Sequence, residues 1–461
     1  MDQSRVALFE ERPVPSAVVT LAVPTIISSL VMVLYNLADT YFVGMLNDPV
    51  ESAGVALAAP VLLAFNAVTN LFGVGSSSMM SRALGLKDQD TVARSSAFGF
   101  YCSLACAVLF SLGYTVFHAP LLAVLGADAT TFDATAEYLF WTVTCGAPPA
   151  ILNVIMAYLV RAEGATMHAS VGTMSGCLLN IVLDPFFIMP WGFGMGAAGA
   201  GLATFLSNCA ACGYFFVLLY VRRRTTCVCI DPRKFGFRRP IVLGVFQVGV
   251  PASIQNLLNV TGMTILNNFA SAYGADAVAA MGIAQKINQV PWNVSMGLSQ
   301  GVMPLVGYNY ASGNSKRMKS AVYFTVKLSE SFMILAALFC HQGAGWLISM
   351  FMENENIVAY GTRFLQGFSL ALPFLALDFL AVGVFQACGL GKNALIFAIM
   401  RKIVLEIPAL CLLNWLFPLY GLAYAQLTAE VVLCAAAIFV LRHLFQTLEN
   451  RQAAAALQED A

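Results

Sequence analysis

Two aspartates stand inside long apolar runs, Asp39 in LYNLADTYFVG and Asp184 in NIVLDPFF. A charged side chain in the middle of a membrane helix costs about 2.5–3.5 kcal/mol, so one kept there is a functional candidate. Asn180 precedes Asp184 by four residues, and on a helix the two share one face. Pro185 has no N–H, which leaves the carbonyl of Ile181 without its helical donor. Carboxylate, amide oxygen and carbonyl are hard ligands that suit Na+ or a hydrated proton and suit a soft transition metal poorly. Asn36 and Asp39, three apart, form a second polar face. Two carboxylates sharing a low-dielectric pocket are suited to carrying a proton. The plainer alternative is that each Asp bonds an Asn, Ser or Thr on a neighbouring helix.

The second half of the chain offers Lys286, Lys327, Glu330, Asp378, Glu406 and Glu430 in apolar surroundings. Lys327 and Glu330, three apart, are expected to form a snorkelling ion pair. Lys286 would pair with a carboxylate of its own half or line a cavity. Glu430 would cap an interhelical hydrogen-bond network.

Enzymatic chemistry has no visible home. His118, His168, His341 and His443 are scattered, and no H-E-x-x-H, P-loop or G-x-S-x-G occurs. The stretch WGFGMGAAGAGLAT follows no strand, so its glycines read as close helix packing and a tight turn. Most of the twelve cysteines lie in apolar runs as small hydrophobes, and the C-x-C of Cys227 and Cys229 lacks a second pair to make a zinc site. The 19 Met and 33 Phe read as core and lipid-facing residues before they read as a plastic cavity.

These residues require helices that cross a bilayer. The 461-residue chain is 59% hydrophobic and only 10% charged, with a mean hydropathy of +0.76. Soluble domains carry about 25% charged residues, so a water-facing globule, a disordered chain and a disulfide scaffold are excluded. Apolar runs of at least about 20 residues fall at 17–45, 52–77, 94–117, 135–160, 168–190, 196–221, 241–273, 279–310, 320–341, 361–387, 394–417 and 420–445. These runs lack the short alternation of a membrane barrel. The first run shows no small-residue cleavage pattern, so the chain is expected to keep its first helix.

Basic residues follow the even-numbered spans: Arg82, Lys87 and Arg94; Arg161; the stretch RRRTTCVCIDPRKFGFRRP; Lys316, Arg317 and Lys319; Lys392; Arg442 and Arg451. The intervening loops carry acids instead, among them Asp48, Glu51, Asp128, Asp133, Glu353 and Glu355. By the positive-inside rule, both termini and the basic loops are cytoplasmic. Lys+Arg and Asp+Glu balance at 24 each, which points to no nucleic-acid partner.

The halves resemble one another in order. LAVPTIISSL around Pro24 matches VGVPASIQNL around Pro251, and GVGSSSMMSRALG matches QGVMPLVGYNYASG. NVIMAYLVRAEG from Asn153 matches DFLAVGVFQACG from Asp378, IVLDP matches IVLEI at Glu406, and GLAT matches GLAY. Six spans per half make this a parallel repeat, an arrangement associated with alternating-access transporters.

With PTIISSLVMVLYNLADTYFVG (24–44), AGVALAAP (53–60), RAEG (161–164), NIVLDP (180–185), Pro251 and QACG (386–389), the chain resembles the multidrug and toxic compound extrusion (MATE) family over residues 15–445. The resemblance implies an all-α membrane protein of two six-helix bundles in a V. It also implies exchange of a cationic or amphipathic compound for Na+ or H+. The cation site it implies comprises Asp39, Asn180, Asp184 and Thr204, with Tyr138 and Asn153 as neighbours. Another branch uses a Glu on the seventh span with an Asp on the tenth. Here the seventh span carries Gln255 and no carboxylate, while Asp378 is present, so the N-terminal site is favoured. Asp378, Glu406, Gln255 and Lys286 are left as a second-lobe polar site or cavity lining.

The expected organisation is a cytoplasmic segment 1–16, bundles at 17–221 and 241–446, a basic linker 222–240 and a tail 447–461. The expected protein is a monomeric antiporter of the bacterial plasma membrane, with no cofactor beyond the coupling ion. Small-molecule drugs and membrane lipid are its expected partners, and Pro24 and Pro185 its weak points for bending. A lipid-linked oligosaccharide flippase would carry more intramembrane cations and extra spans. A channel would need a filter, and a membrane-embedded enzyme a catalytic constellation.

Overall fold

A computed structural model describes residues 6–459 except Asn47 and Glu353, so the outer-loop acid at Glu353 lies outside the described residues. Helices occupy all twelve expected stretches. The first six are α1 (Val14–Met45), α2 (Pro49–Gly85), α3 (Gln89–Val124), α4 (Phe132–Cys145 with Ala147–Ala162), α5 (Thr166–Ile188) and α6 (Gly196–Val221). The rest are α7 (Arg239–Ser271), α8 (Ala275–Ala311), α9 (Ser315–Gln342), α10 (Glu355–Ala387), α11 (Gly391–Ile399, Met400–Glu406 and Ile407–Leu416) and α12 (Tyr420–Gln452).

Among the described residues, nine helices are long and apolar enough to cross a membrane, or ten with the pieces of α4, bent by 53°, taken as one span. The two that fall short, α8 and α11, carry polar and charged side chains within their spans, including Gln285, Asn288, Gln289, Arg401, Lys402 and Glu406. Their apolarity is diluted where polar groups gather.

The chain packs as two compact units, one holding Ile27–Ser253 and the other Phe9–Ile26 with Ile254–Ala461. The sequence boundaries 17–221 and 241–446 follow the chain, whereas packing trades the first part of α1 for the first part of α7. The trade is made where glycine lets backbones close. In the first unit, a Cβ on Gly249 of α7 would collide with the Leu71 carbonyl of α2. In the second, a Cβ on Gly301 of α8 would stand 2.8 Å from Ala22 Cα of α1. Both crossings fall two residues beyond a repeat-mated proline, Pro24 or Pro251. Each of these prolines leaves a carbonyl unbonded one turn earlier, so the helix is softest there.

In the first unit, α6 begins after a tight turn in which Gly194 and Gly196 take φ of 63° and 57°. The Ala197 N–H at its start donates to Glu51 Oε2 at 2.6 Å, placing an anion at a helix N-terminus. The basic linker is fastened to the same unit. Buried Glu163 accepts from Cys227 N at 2.7 Å and from Thr226 Oγ1 at 2.9 Å. Cys229 N donates to Ser96 Oγ at 3.0 Å, and Tyr101 Oη to the Ile230 carbonyl at 2.7 Å. In the second unit α10 is the central post: 83% of its most apolar window is buried, against 22–39% for the other single-helix spans. It packs on α8, α9 and α12.

Candidate functional site

The face predicted on α5 is present in the first unit. Asn180 and Asp184 are both buried, 1% and 0% exposed. The Asn180 amide satisfies its neighbours in one orientation. Its nitrogen donates to Asp184 Oδ2 at 2.8 Å, and its oxygen accepts from Thr204 Oγ1 at 3.3 Å and Thr204 N at 3.1 Å. Thr204 stands two turns into α6, three residues past Gly201 of its glycine-rich start, where small residues bring the α6 backbone close to α5. The result is a chain of carboxylate, amide and hydroxyl across two helices.

Asp39 on α1 and Asp184 on α5 lie within electrostatic reach of one another, and Tyr138 of α4 is within reach of both. Tyr35, one turn before Asp39 on α1, joins the same group with Cys177 of α5. Asp39 Oδ1 is buried and accepts no hydrogen bond. A buried carboxylate oxygen without a hydrogen-bond donor is compatible with a small cation or a proton. Tyr35 escaped sequence reading, although its i, i+4 spacing to Asp39 was a usable signal.

Asn36 is exposed, and its carbonyl takes the Thr40 hydroxyl at 2.8 Å, so the second polar face narrows to Asp39. Asn153 is buried, but its amide donates to Pro149 O at 2.7 Å, Ala150 O at 3.0 Å and Asn208 Oδ1 at 3.1 Å. Its partners thus lie on α4 itself and at Asn208 of α6.

The second unit holds a separate set of buried charges. Arg401 of α11 pairs with Asp378 of α10, and its Nε lies 3.2 Å from Glu430 Oε1 of α12. Its guanidinium also sits 4.5 Å over the Phe379 ring. One residue on, Lys402 Nζ donates to both oxygens of Glu406, at 2.8 and 2.6 Å. Both cations sit in the π-helical turn Met400–Glu406. Sequence reading overlooked both when it counted few intramembrane cations.

Gln255 of α7 accepts from Gln386 of α10 at 3.2 Å. Lys286 is exposed and pairs with no carboxylate among the described residues. It is not among the side chains lining the cavity that Gln285, Asn288 and Gln289 border. The ion pair expected of Lys327 and Glu330 does not form: Lys327 points outward while Glu330 is half-buried beside Cys434.

Long apolar helices in two parallel repeats, each repeat holding buried polar groups on its spans, are the arrangement of a membrane transporter. The MatE family model matches the chain twice, over residues 24–186 and 251–412, one copy starting at each of the repeat-mated prolines. The chain belongs to the MatE family. It is 32% identical over 447 residues to the multidrug export protein MepA of Staphylococcus aureus strain MRSA252, covering 97% of each chain. Its structure resembles the outward-facing conformation of a multidrug resistance MATE family transporter of the MOP superfamily, with a TM-score of 0.90 and 26% identity over 96% of this chain and 98% of that one. It likewise resembles a MATE crystal structure in complex with MaL6, with a TM-score of 0.91 and 25% identity over 98% of this chain and 100% of the other.

Proposed function

We propose that this protein is a secondary active exporter of cationic or amphipathic drug-like compounds, which it exchanges for H+ or Na+ by alternating access. It is a carrier and not an enzyme, works as a monomer in a bacterial plasma membrane, and keeps both termini and its basic loops on the cytoplasmic side. The observation that carries the reading is the Asp184–Asn180–Thr204 chain with the unsatisfied Asp39 oxygen beside it. Likeness to a multidrug export protein along nearly the whole chain supports the substrate class.

The coupling ion is a substrate of this cycle. Asp39 and Asp184 would take it with the Asn180 and Thr204 oxygens as hard donors, and its arrival neutralises carboxylates that otherwise repel one another. Asp39 sits on the part of α1 that belongs to the first unit, while residues up to Ile26 of the same helix belong to the second. Ion binding thus acts on a helix that both units own, with Pro24 next to the crossing and Pro185 beside Asp184. The ion must bind the two states unequally, or it shifts nothing.

The test is dye efflux from liposomes holding the purified protein, driven in turn by a pH gradient and a Na+ gradient. Asp39→Asn and Asp184→Asn each abolish gradient-driven efflux. Intact coupled transport in both variants would remove the site from the mechanism.

A further inference from the structure

The second unit contains a pocket, half open to its surroundings, with a cavity volume of about 110 Å³. Its lining includes Lys402 and Glu406 of α11, Asn288 and Trp292 of α8, Phe368 of α10 and Gln426 of α12. Two of the chain's buried charges therefore face an open space, while the Arg401 group one residue away is sealed among helices. The Lys402 and Glu406 side chains are 12% and 7% exposed, and the ammonium bridges both carboxylate oxygens.

We infer that Lys402 is a tethered stand-in for a substrate's positive charge, occupying Glu406 until an aromatic organic cation with an N–H donor displaces it. This rests on the efflux reading above and names a subsite for it. Three features of the cavity support it. Lysine is a compact charge on a flexible four-carbon stem, suited to leaving and returning, whereas the neighbouring guanidinium is fixed by two carboxylates and a ring. The stem has room because Gly262 of α7 lies alongside it: a Cβ there would stand 3.0 Å from Lys402 Cδ. Asn288 Oδ1, on the cavity lining, is buried with no hydrogen-bond donor, so the site offers an acceptor that its own residues leave unused.

Trp292 and Phe368 supply the aromatic walls that a flat cation prefers, and Glu406 supplies the countercharge. With Lys402 in place the site is neutral. The incoming cation takes over the countercharge of Glu406, so that carboxylate is never left bare, and the released Lys402 ammonium swings on its flexible stem into the open part of the cavity, where water solvates it. The self-pair acts as an internal competitor, and affinity for a cation falls by the fraction of time the pair is closed.

The experiment measures ethidium binding, by fluorescence, to the full chain in lipid nanodiscs. A neutral dye, Nile red, serves as control. Lys402→Met is expected to tighten ethidium binding about tenfold and leave the neutral dye unchanged. Lys402→Arg is expected to weaken it, because a bidentate guanidinium holds Glu406 more firmly. Since a lone Glu406 could impair folding, the double variant Lys402→Met with Glu406→Gln removes both charges together and is expected to bind ethidium no better than the neutral dye. Unchanged or weaker ethidium binding in Lys402→Met overturns the proposal, as does a double variant that keeps wild-type cation affinity. Wild-type liposomes that show no gradient-driven ethidium efflux refute the exporter reading instead, so the two failures are read in separate assays.

Discussion

Arg401 Nε lies 3.2 Å from Glu430 Oε1, and both side chains are shut away from solvent, at 3% and 0% exposure. Asp378 binds the same guanidinium from α10, so one cation ties three helices and faces two acids. Arg401→Met leaves both carboxylates buried without a countercharge and should cost about 3–5 kcal/mol. Glu430→Gln leaves a neutral Arg401–Asp378 pair and should cost much less. Thermal melting in detergent is expected to rank wild type first, Glu430→Gln second and Arg401→Met last.

Thr204→Val tests how Asn180 is held. The hydroxyl donor is lost, but the Thr204 backbone N–H still reaches the Asn180 oxygen at 3.1 Å. A single neutral hydrogen bond is worth about 1 kcal/mol. The ion concentration giving half-maximal transport should rise about fivefold with the maximal rate retained. An unchanged half-maximal ion concentration would show that the Thr204 hydroxyl neither holds Asn180 nor helps to bind the ion.

Glu163→Ala should free the linker without unfolding the unit. It removes the acceptor of the Cys227 N–H and the Thr226 hydroxyl, charge-assisted bonds worth about 2 kcal/mol of local opening. Trypsin should then cut at Arg222–Arg224 about thirtyfold faster, with the melting temperature nearly unchanged.

The exchange of half-helices can be probed at its two glycines. Gly249→Ala sets a methyl against the Leu71 carbonyl, and Gly301→Ala sets one against Ala22 and the Leu21 carbonyl. Overpacking of this kind costs about 1–3 kcal/mol. Gly282→Ala on α8 meets nothing within 4 Å and should be neutral or slightly stabilising. Equal melting temperatures for all three variants would show that the close approaches are not tight.

Much of this protein is legible in its letters because a bilayer permits few solutions. Apolar runs of this length must be helices, since every backbone polar group needs an internal partner there. The twofold repeat is visible at Pro24 and Pro251, where the two family matches begin two residues before the unit crossings. The i, i+4 rule places Asn180 beside Asp184, and the same rule pairs Lys402 with Glu406.

Tertiary structure alone decided which distant residues meet. Arg401, Asp378 and Glu430 come from three helices, and no spacing along the chain announces their contact. Asn36 and Asp39 look alike as polar groups three apart, yet one is exposed and the other has a buried, unsatisfied oxygen. Local sequence determines a helix and its faces, because those depend on neighbours within a turn or two. Which face meets a neighbour, a cavity or lipid depends on how the helices pack, and packing also assigned the first part of α1 to the second unit.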